Sequence, residues 1–458
     1  MTARTVVEAS RMSFSAGSLR TVLDAHTPPN AAGYLVALSG GADSACLLTA
    51  LAELRARPGG NLPVRAIHID HGLQSAAADF RRTCEQLCRR LNVPLIVEAV
   101  AVDMPRGESI EAAARAARYA GLSRHLEAGE CLLTAHHAQD QAETLLLQAL
   151  RGAGLKGLTA MPICRAWHTG WHLRPLLDVD QRDLRTFAAH AGIEVVSDPM
   201  NRDTRFDRIY VRERLWPLIE GRWPAAARTL SRAARHLAEA QELLDESAAS
   251  TVEALRDGAA LSVPVLRRLS HAEQCNAVRF WLAERAARPP STAHLTEGLR
   301  QMMAADADHV PAITWSGHAL RRYRSRLYLT EAHAPCVGEP RDWAVGFGKT
   351  LKLGDGLGTL LWSVQSGGLD AARLPSVISV RQRRGGETLK PHRRARTQSV
   401  QHLCQSLGIL PWMRDALPLL YSGNELIAVG DLWQDAGWCV APGAPGLGCV
   451  WTGAPILT

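Results

Sequence analysis

Short apolar runs alternate with stretches of helical periodicity through the first 200 residues, and this alternation limits the folds open to the chain. The apolar runs lie at residues 34–38, 64–69, 94–100 and 131–135. Runs of this length between helices are typical of buried strands in a parallel sheet that carries helices on both faces. We therefore predict an α/β fold with a doubly wound parallel sheet for this part of the chain.

The first predicted strand leads directly into Ser-Gly-Gly-Ala-Asp-Ser, residues 39–44, and then into an apolar helical stretch. Small residues at such a junction let a ligand approach the backbone, and the free N–H groups at the start of a helix bind anions. Neither the Gly-Lys-Ser/Thr of kinase and GTPase phosphate loops nor the G-x-G-x-x-G of dinucleotide folds is present. If only Gly40 and Gly41 are considered, an ordinary tight turn explains this segment better than a ligand-binding loop does.

A second polar cluster follows the fourth predicted strand, where His136, Asp140 and Glu143 recur at intervals of four and three residues. This spacing puts all three side chains on one helix face. Two carboxylates beside an imidazole are costly to place together without a cation. Because ligands bind at the carboxyl ends of parallel strands, we expect a magnesium ion or a substrate ammonium group here, with a merely solvated face as the alternative.

Two further motifs carry candidate ligand contacts. Glu111, Arg115 and Arg118 share one helix face, although a solvated Glu–Arg pair explains Arg115 equally well. The segment IHIDHGLQ ends the second predicted strand with His68 and His71. Two histidines alone make a poor metal site, so a loop that lines an adenine pocket is the better interpretation.

Composition narrows the class of partner and the compartment. The net charge is +7 with a pI near 9.0, which favours a polyanionic partner over a merely basic protein. Ten cysteines without a C-x-x-C pair indicate free thiols in a reducing compartment. No apolar run reaches the length of a membrane span, and the first dozen residues lack a signal-peptide core. We expect a cytoplasmic protein with no membrane partner.

Several segments together resemble one family. In chain order they are SGGADS, HIDHGL, EAAARAARY, TAHHAQDQAET, RGAGLKGL, RPLL and DPMNRDTRFDRIYVRERLWPLIE. They resemble the tRNA(Ile)-lysidine synthetase family, whose first domain is a pyrophosphatase-loop, adenine nucleotide alpha hydrolase-like fold. The resemblance is dense over 33–220 and resumes in VRQRRGGETLKP and LPWMRDALPLLYSGNELIAVGDLW. The chain departs where the family has paired aspartates, here Gln139-Asp140, and where it has Arg-Asn, here Arg208-Ile209.

The resemblance implies a ligase reaction. ATP is cleaved to AMP and pyrophosphate, and AMP is attached at C2 of the wobble cytidine of the isoleucine tRNA that carries a CAU anticodon. Free L-lysine then displaces AMP and gives lysidine, which switches codon reading from AUG to AUA. The cofactors implied are ATP and Mg²⁺.

The resemblance also implies roles for individual residues. Asp43 is the magnesium ligand, and Arg208 or Arg118 supplies a cation near the α-phosphate. Asp140 and Glu143 hold the lysine ammonium group, and His136 or Glu143 acts as the base. The ATP-binding residues implied are Ser39, Gly40, Gly41, Ala42, Asp43, Ser44 and His68.

Recognition of tRNA is expected largely elsewhere in the chain. Residues 381–396 carry seven Lys and Arg with glycines and a proline that break any helix, which suits phosphate contacts, although a solvated charge run is the alternative. Such contacts provide affinity without sequence discrimination. The predicted tRNA-binding residues are Arg212, Arg381, Arg383, Arg384, Lys390, Arg393 and Arg394.

We predict three domains. Residues 1–220 form the catalytic domain, 221–332 a helical domain, and 333–458 a small α+β domain that binds tRNA. The helical domain is either a docking surface for tRNA or a packed bundle, and the sequence leaves these equal. It also leaves open whether the chain acts as a monomer or as a homodimer.

Three rival functions remain at this point. A pyrophosphatase-loop modifier such as a 2-thiocytidine synthetase usually needs paired cysteines or a cluster, and the chain has no C-x-x-C. An ammonia-using nucleotide or NAD synthetase would not require a basic C-terminal extension. The intact Ser39–Ser44 loop argues against a noncatalytic RNA-binding relative.

Overall fold

The computed structural model describes residues 14–57, 62–70, 77–101, 110–193, 206–306, 309–333 and 335–455, without the side chains of 77 and 110–112. The chain divides into two compact units, Met1–Leu244 and Asp245–Thr458. The division falls within one long helix, α10 (Ala226–Leu255). The three predicted domains and the two boundaries between them stay a prediction.

A six-stranded sheet forms the centre of the first unit. Its strands are β1 (Gly33–Ala37), β2 (Val64–Asp70), β3 (Leu95–Ala99), β4 (Glu130–Leu133), β5 (Cys164–Trp167) and β6 (Gly170–Leu173). Their order across the sheet is β3-β2-β1-β4-β6-β5, and only β5 runs antiparallel to its neighbour. The apolar runs of the sequence form β1 to β4 because strands buried on both faces need near-continuous apolar residues.

The strand order reverses beside β1. The chain passes from β1 to β2 on one side, whereas β4 pairs with β1 on the other side, with Tyr34 opposite both Val64 and Cys131. In open parallel sheets, ligands bind outside the carboxyl ends of the strands at such a reversal. The residues after β1 and after β4 therefore flank the expected ligand crevice.

Helices cover both faces of this sheet. They are α1 (Ala16–His26), α2 (Ala42–Arg55), α3 (Ala77–Leu91), α4 (Ile110–His125), α5 (Ala138–Leu150), α6 (Leu155–Leu158), α7 (Gln181–His190), α8 (Asp207–Tyr210), α9 (Trp216–Arg222) and the start of α10. One core joins Leu19, Leu47 and Leu184 to the sheet, and a second joins Leu122 to Leu35 and Leu132. The doubly wound α/β prediction is confirmed.

The second unit begins with a five-stranded antiparallel sheet and three helices. The strands are β7 (Arg256–Asp257), β8 (Ala260–Ser262), β9 (Ala312–Trp315), β10 (His318–Tyr323) and β11 (Arg326–Glu331), in the order β7-β8-β11-β10-β9. The helices are α11 (Val263–Leu266), α12 (His271–Glu284) and α13 (Thr292–Ala304). The fully buried Trp281, Leu299 and Leu320 belong to one core between them.

The predicted helical character of residues 221–332 is therefore incomplete. Arginines in β10 and β11 obscure the strand pattern, because a long Arg side chain can be buried when its guanidinium finds acceptors. Arg322 is 4% exposed and donates to the carbonyls of Met302 and Ala305 at the end of α13. The β9–β10 turn places Ser316 and Gly317 at φ of 43° and 83°, the left-handed pair of a tight hairpin.

The rest of the second unit is α+β, as predicted. Its strands are β12 (Arg341–Ala344), β13 (Thr350–Gly354), β14 (Gly358–Ser366), β15 (Val377–Arg381), β16 (Thr388–Leu389), β17 (Gln398–Ser399), β18 (Leu419–Ser422), β19 (Glu425–Val429), β20 (Trp433–Gln434) and β21 (Pro445–Thr452), with the helix α14 (Val400–Ser406). They form sheets of five, three and two strands. Trp343 and Trp362 stack in the core, with ring centroids 4.3 Å apart.

Within the described ranges, no helix combines the length and the apolar character that a membrane span needs.

Candidate active site

The loop after β1 depends on a glycine at its second position. Gly40 has φ of 84°, in the left-handed region that residues with a side chain rarely adopt. A Cβ atom there would lie 2.8 Å from Cδ1 of Phe80, on α3. Gly41 has φ of −86° and precedes the first turn of α2. The first glycine is required by the fold of the loop, and the second leaves the start of α2 without a side chain.

Two hydroxyl groups hold the loop closed. Ser44 Oγ accepts from the Ser39 amide at 3.1 Å and donates to the Gly41 carbonyl at 3.1 Å. Because that donation uses its only hydrogen, Ser39 Oγ is the donor in the 3.0 Å contact between the two hydroxyls. The Gly41 amide donates to Ser39 Oγ at 3.3 Å. The loop is thus ordered by its own side chains.

Asp43 lies in the first turn of α2 and faces the start of α5. Its Oδ2 is 3.7 Å from Nε2 of His137, and the same nitrogen is 3.5 Å from Oδ2 of Asp140. Burial raises the pKa of Asp43; His137 opposes that rise, and the charge of Asp140 adds to it. The Asp43 side chain is still 34% exposed. It is the carboxylate of this site that remains open to a ligand.

The other two carboxylates are held by two arginines. Asp140 Oδ1 accepts from Arg208 at 3.0 Å and from Arg212 at 2.8 Å. Glu143, with no exposed surface, forms a bidentate pair with Arg212 at 2.8 Å for each oxygen and accepts from Arg208 at 3.2 Å. Arg212 lies in a π-helical turn, Val211–Leu215, which comes directly after α8. The backbone of a π-helical turn is wider than that of an α-helix.

The carboxylates of this cluster outnumber its arginines. Asp43, Asp140 and Glu143 lie close to Arg208 and Arg212, and His137 lies between Asp43 and Asp140. Burial raises the pKa of Asp140, but His137, Arg208, His136 and Arg212 together hold it below its ordinary value, so the carboxylate stays ionised. The three carboxylates outnumber the two arginines that pair with them, which favours a bound cation beside the partly exposed Asp43.

His136 belongs to a different network from its neighbour His137. Its Nδ1 lies 2.9 Å from Thr134 Oγ1, which in turn lies 2.9 Å from Nε2 of His172. Desolvation, reinforced by Arg174, Arg208 and Arg115 and opposed by Asp140, lowers the pKa of His136 to about 3. The imidazole is neutral at physiological pH.

Arg118 is half-buried on α4, and no ion pair to it is found among the described side chains. Its guanidinium carbon lies 5.5 Å from the ring centroid of Tyr119, and that of Arg115 lies 5.2 Å from the same ring. Burial lowers the pKa of Arg118, and Arg115 and Arg208 lower it further. Because Arg115 and Arg208 repel the Arg118 guanidinium, an anionic ligand would be favoured beside it. Glu111, predicted on this face, lies outside the described side chains.

His68 is buried against the residue that immediately precedes the Ser39–Ser44 loop. It is 5% exposed, and its Nδ1 is 2.9 Å from the Leu38 carbonyl, so that nitrogen carries the proton. The contact ties the end of β1 to β2. The structure thus gives His68 a supporting position beneath the predicted ATP-binding loop. His71 lies outside the described residues.

The predicted tRNA-binding residues occupy several environments. Arg384, Arg393 and Arg394 are exposed. Arg381 and Lys390 are half-buried, and Arg381 covers the ring of Tyr421 at 4.6 Å. Arg383 lies 3.7 Å from Glu387, whose carboxylate also accepts from the amides of Arg384 and Gly385. Arg212, predicted as a tRNA contact, is instead engaged with Asp140 and Glu143 in the first unit.

Comparison with known proteins agrees with this arrangement. The family profile described as the PP-loop domain matches residues 16–219. Profiles described as the TilS substrate binding domain and the TilS substrate C-terminal domain match 261–328 and 378–451.

Curated relatives match almost the whole chain. The tRNA(Ile)-lysidine synthase of Alkalilimnicola ehrlichii is 39% identical, with 90% of this chain and 92% of that protein covered. The chain belongs to the tRNA(Ile)-lysidine synthase family. The synthases of Coxiella burnetii and Methylococcus capsulatus are each 37% identical, with 91% and 92% of this chain and 91% and 96% of those proteins covered. The family resemblance is confirmed.

Two positions depart from the pattern expected of a tRNA(Ile)-lysidine synthase. Gln139 stands where an aspartate was expected, and its amide donates to Glu143 at 3.1 Å. A neutral donor there adds no further negative charge beside a carboxylate that is already buried. Ile209 stands where an asparagine was expected and is half-buried between Arg208 and Tyr210.

One residue of the candidate site in this synthase family member, His137, was not predicted from the sequence. His137 is 2% exposed, occupies the N-cap position of α5, and lies between Asp43 and Asp140. Its Nδ1 is buried and has no hydrogen-bond partner among the described residues. The pair His136-His137 was visible in the sequence, but the four-residue spacing to Asp140 drew attention to His136. The position before α5, an N-cap, was the signal for His137.

A magnesium ion fits this donor set in part. Within the described ranges, no cluster of three or more His, Cys, Asp and Glu could hold a metal ion by itself. Magnesium is usually bound by one or two carboxylates together with substrate phosphates. Asp43 supplies one partly exposed carboxylate at the N-terminus of α2, which suits an ion shared with a nucleotide.

Proposed function

We propose that this protein ligates free L-lysine to the wobble cytidine of the isoleucine tRNA with a CAU anticodon, and that it uses ATP to adenylate the cytidine first. The observation that carries the proposal is the meeting of two loops at the reversal of strand order beside β1. One loop is the glycine-paired Ser39–Ser44 turn, and the other leads into the Asp140–Glu143 face of α5. Membership of the lysidine synthase family supports the substrate assignment.

The pyrophosphate portion of ATP would bind the loop after β1. The amides at the start of α2 point outward from a helix N-terminus, where an anion is stabilised. Ser39 and Ser44 already satisfy one another, so their role is to hold the amides in place. When bound, Mg²⁺ would neutralise charge on the leaving pyrophosphate, with Asp43 as its protein ligand. Arg118, which has no carboxylate partner among the described side chains, would contact the phosphate chain.

The lysine ammonium group would bind at the acidic cluster. Asp140, Glu143 and Asp43 supply three carboxylates against the two arginines paired with them, which favours a cationic group here. Arg208 would also stabilise the α-phosphate, since it lies at the edge of the same cluster. Because Glu143 already accepts from Arg208, Arg212 and Gln139, it is a weak candidate for the base.

Contacts with tRNA phosphates would come from the exposed arginines of the basic segment. Arg384, Arg393 and Arg394 are exposed, although Arg393 also donates to the Cys439 carbonyl at 3.4 Å, whereas Arg381 and Arg383 are partly used within the fold. We place the reaction in the cytoplasm, because all ten cysteines are unpaired thiols and a reducing compartment keeps them so.

The test is to measure pyrophosphate and AMP release while substrates are omitted one at a time. We expect AMP release only when ATP, Mg²⁺, the CAU-anticodon tRNA and lysine are all present. Pyrophosphate release should need the tRNA but not lysine, because adenylation comes first. AMP release with sulfide in place of lysine would support a thiolating enzyme. No release with any set of substrates would support a noncatalytic RNA-binding protein.

A further inference from the structure

A buried chain of hydrogen bonds runs behind His136. Arg174 donates to Nδ1 of His172 at 3.0 Å and to the Pro162 carbonyl at 2.8 Å. Nε2 of His172 lies 2.9 Å from Thr134 Oγ1, which lies 2.9 Å from Nδ1 of His136. His172 has no exposed surface, Arg174 is 3% exposed, and Thr134 is 7% exposed. Strands β4 and β6, which pair directly, hold Thr134 close to His172.

The donors and acceptors along this chain can be assigned in only one fully satisfied way. A guanidinium has no acceptor, so Nδ1 of His172 must accept from Arg174. Burial lowers the pKa of Arg174 to about 10, and the group therefore keeps its proton at neutral pH. The proton of neutral His172 is then on Nε2 and is donated to Thr134 Oγ1. The Thr134 hydrogen remains for Nδ1 of His136.

The opposite assignment leaves a buried group unpaired. If His136 donated from Nδ1, Thr134 would accept from two histidines and its own hydrogen would have no acceptor. Buried hydroxyl groups without a partner are rare in folded proteins. The charges agree with a neutral ring, because desolvation lowers the pKa of His172 to about 2 and that of His136 to about 3.

We propose that Thr134, His172 and Arg174 are positioning residues that fix His136 as the neutral imidazole with its proton on Nε2. His136 then presents an N–H donor to an anionic oxygen of the substrate and is not a base. The class of ligand it suits is a phosphate oxygen or the oxygen that develops charge at the reacting base. This inference rests on the proposed function for the identity of the substrate, but the proton position does not depend on it.

The same geometry separates the two adjacent histidines. Nε2 of His137 faces the carboxylates of Asp43 and Asp140, whereas Nδ1 of His136 faces Thr134. Tyr119 and Trp167 pack against His172 with ring centroids at 5.8 Å each, which keeps that ring in place. His137 therefore belongs to the acidic cluster, and His136 belongs to the chain of hydrogen bonds through Thr134 and His172.

The decisive measurement is the ¹⁵N spectrum of the histidine-labelled full-length protein without substrates at neutral pH. His136 is assigned by comparison with His136→Gln. We expect Nε2 of His136 and of His172 to carry the proton and each Nδ1 to be unprotonated. A proton on Nδ1 of His136 would overturn the proposal, and this result needs no variant in Thr134 to fold.

A variant pair tests whether the chain matters for the reaction. Thr134→Val keeps the shape of the side chain but removes the hydroxyl, and Thr134→Ser retains the hydroxyl as the matched control. We expect Thr134→Val to mix the two His136 forms in the spectrum and to lower kcat for pyrophosphate release about 10- to 100-fold, with KM for ATP changed less than about threefold. Thr134→Ser should keep the wild-type spectrum and most of the rate.

Two outcomes separate this inference from the proposed function. If Thr134→Val mixes the forms of His136 and leaves kcat unchanged, the chain has no part in catalysis and the inference fails. If the wild-type protein releases no pyrophosphate, the proposed function fails, and the spectrum alone still decides where the proton on His136 lies.

Discussion

Single residues decide the chemistry of the loop after β1, and three of them have separable roles. Gly40 makes the backbone conformation possible, Ser44 holds it closed, and Asp43 keeps a partly exposed carboxylate beside it, which we propose contacts the ligand. Of these, only Asp43 is assigned a contact with the reacting nucleotide. Substitutions at the three positions should therefore have different effects on activity and on stability.

Asp43→Asn should remove pyrophosphate release and leave tRNA binding almost unchanged. The amide keeps the size of the side chain but loses the charge that a magnesium–phosphate complex needs, so we expect the rate to fall at least about 100-fold. Affinity for tRNA, measured by filter binding, should stay within about twofold. A large loss of tRNA affinity with normal pyrophosphate release would mean that Asp43 has a different role.

Gly40→Ala should destabilise the protein, whereas Gly41→Ala should do so much less. The first change forces a left-handed alanine, at a cost of about 1–2 kcal/mol, and places a methyl group against Phe80. The second adds a Cβ atom with Ser39 Oγ at 3.4 Å, an ordinary contact, at a permitted φ. Thermal unfolding of both variants checks this. Equal stability of the two variants would contradict the assigned loop geometry.

At the scale of elements, the pairing of β4 with β6 and the π-helical turn after α8 bring the site together. β6 places His172 behind Thr134, and the π-helical turn directs Arg212 onto Glu143. Both contacts join segments that are distant in the sequence. The effect of each contact on the free energy of unfolding can be measured separately.

His172 should make stability fall as the solution is acidified. Its folded pKa of about 2 lies below the unfolded value near 6.5, so the unfolded state binds more protons between these values. His172 therefore makes its full contribution to the free energy of unfolding above about pH 6.5. Below that pH its contribution falls by about 1.4 kcal/mol per pH unit. Urea unfolding at pH 7 and pH 5 measures the slope.

The matched variant for that measurement is His172→Gln. It removes the titrating group, so the slope between pH 7 and pH 5 should become shallower. An unchanged slope would show that His172 is not the source of the acid sensitivity.

Arg212→Ala should cost stability because it leaves Glu143 fully buried with one arginine less. We expect a loss of about 2–3 kcal/mol, since two charge-assisted hydrogen bonds to a buried carboxylate disappear. Arg151→Ala, which removes an exposed pair with Asp207, should change stability by less than about 1 kcal/mol. Chemical unfolding of both variants at pH 7 makes the comparison. Similar losses in both would contradict the buried-pair interpretation.

The sequence predicted the strands of the first sheet and the loop after β1 because local patterns determine both. Apolar runs identify strands buried on both faces, and the Ser39–Ser44 hexapeptide has a recognisable form. The partners of Arg212 and the role of His137 were not predictable in the same way. They depend on a turn 65 or more residues from Glu143 and on which of two adjacent imidazole rings faces Asp43 and Asp140. The strands β10 and β11 were missed because their arginines imitate a polar helix face.

On the scale of the whole molecule, we propose that the first unit carries out the chemistry and that the basic segment of the second unit contacts phosphates. Exposed arginines attract a polyanion without reading its sequence, and their effect depends on salt. The net charge of +7 favours such a partner for the full chain. Affinity for tRNA and the rate of adenylation should therefore respond to different substitutions.

Replacing Arg384, Arg393 and Arg394 together by alanine should weaken tRNA binding and reduce its salt dependence. Each lost phosphate contact should lower the slope of log affinity against log salt by about 0.7 to 0.9. The rate of pyrophosphate release at saturating tRNA should stay within about threefold. Arg300→Ala, which removes an exposed arginine paired with Glu297, is the control and should leave the salt slope unchanged. An unaltered slope in the triple variant would exclude these phosphate contacts.

The most direct test of the central claim is to digest the product tRNA to nucleosides after reaction with isotope-labelled lysine and to measure their masses. We predict one labelled lysine for each CAU-anticodon tRNA, attached to the wobble cytidine, with an equal amount of AMP released. A tRNA that acquired sulfur, or one that carried no label although pyrophosphate had formed, would contradict the account.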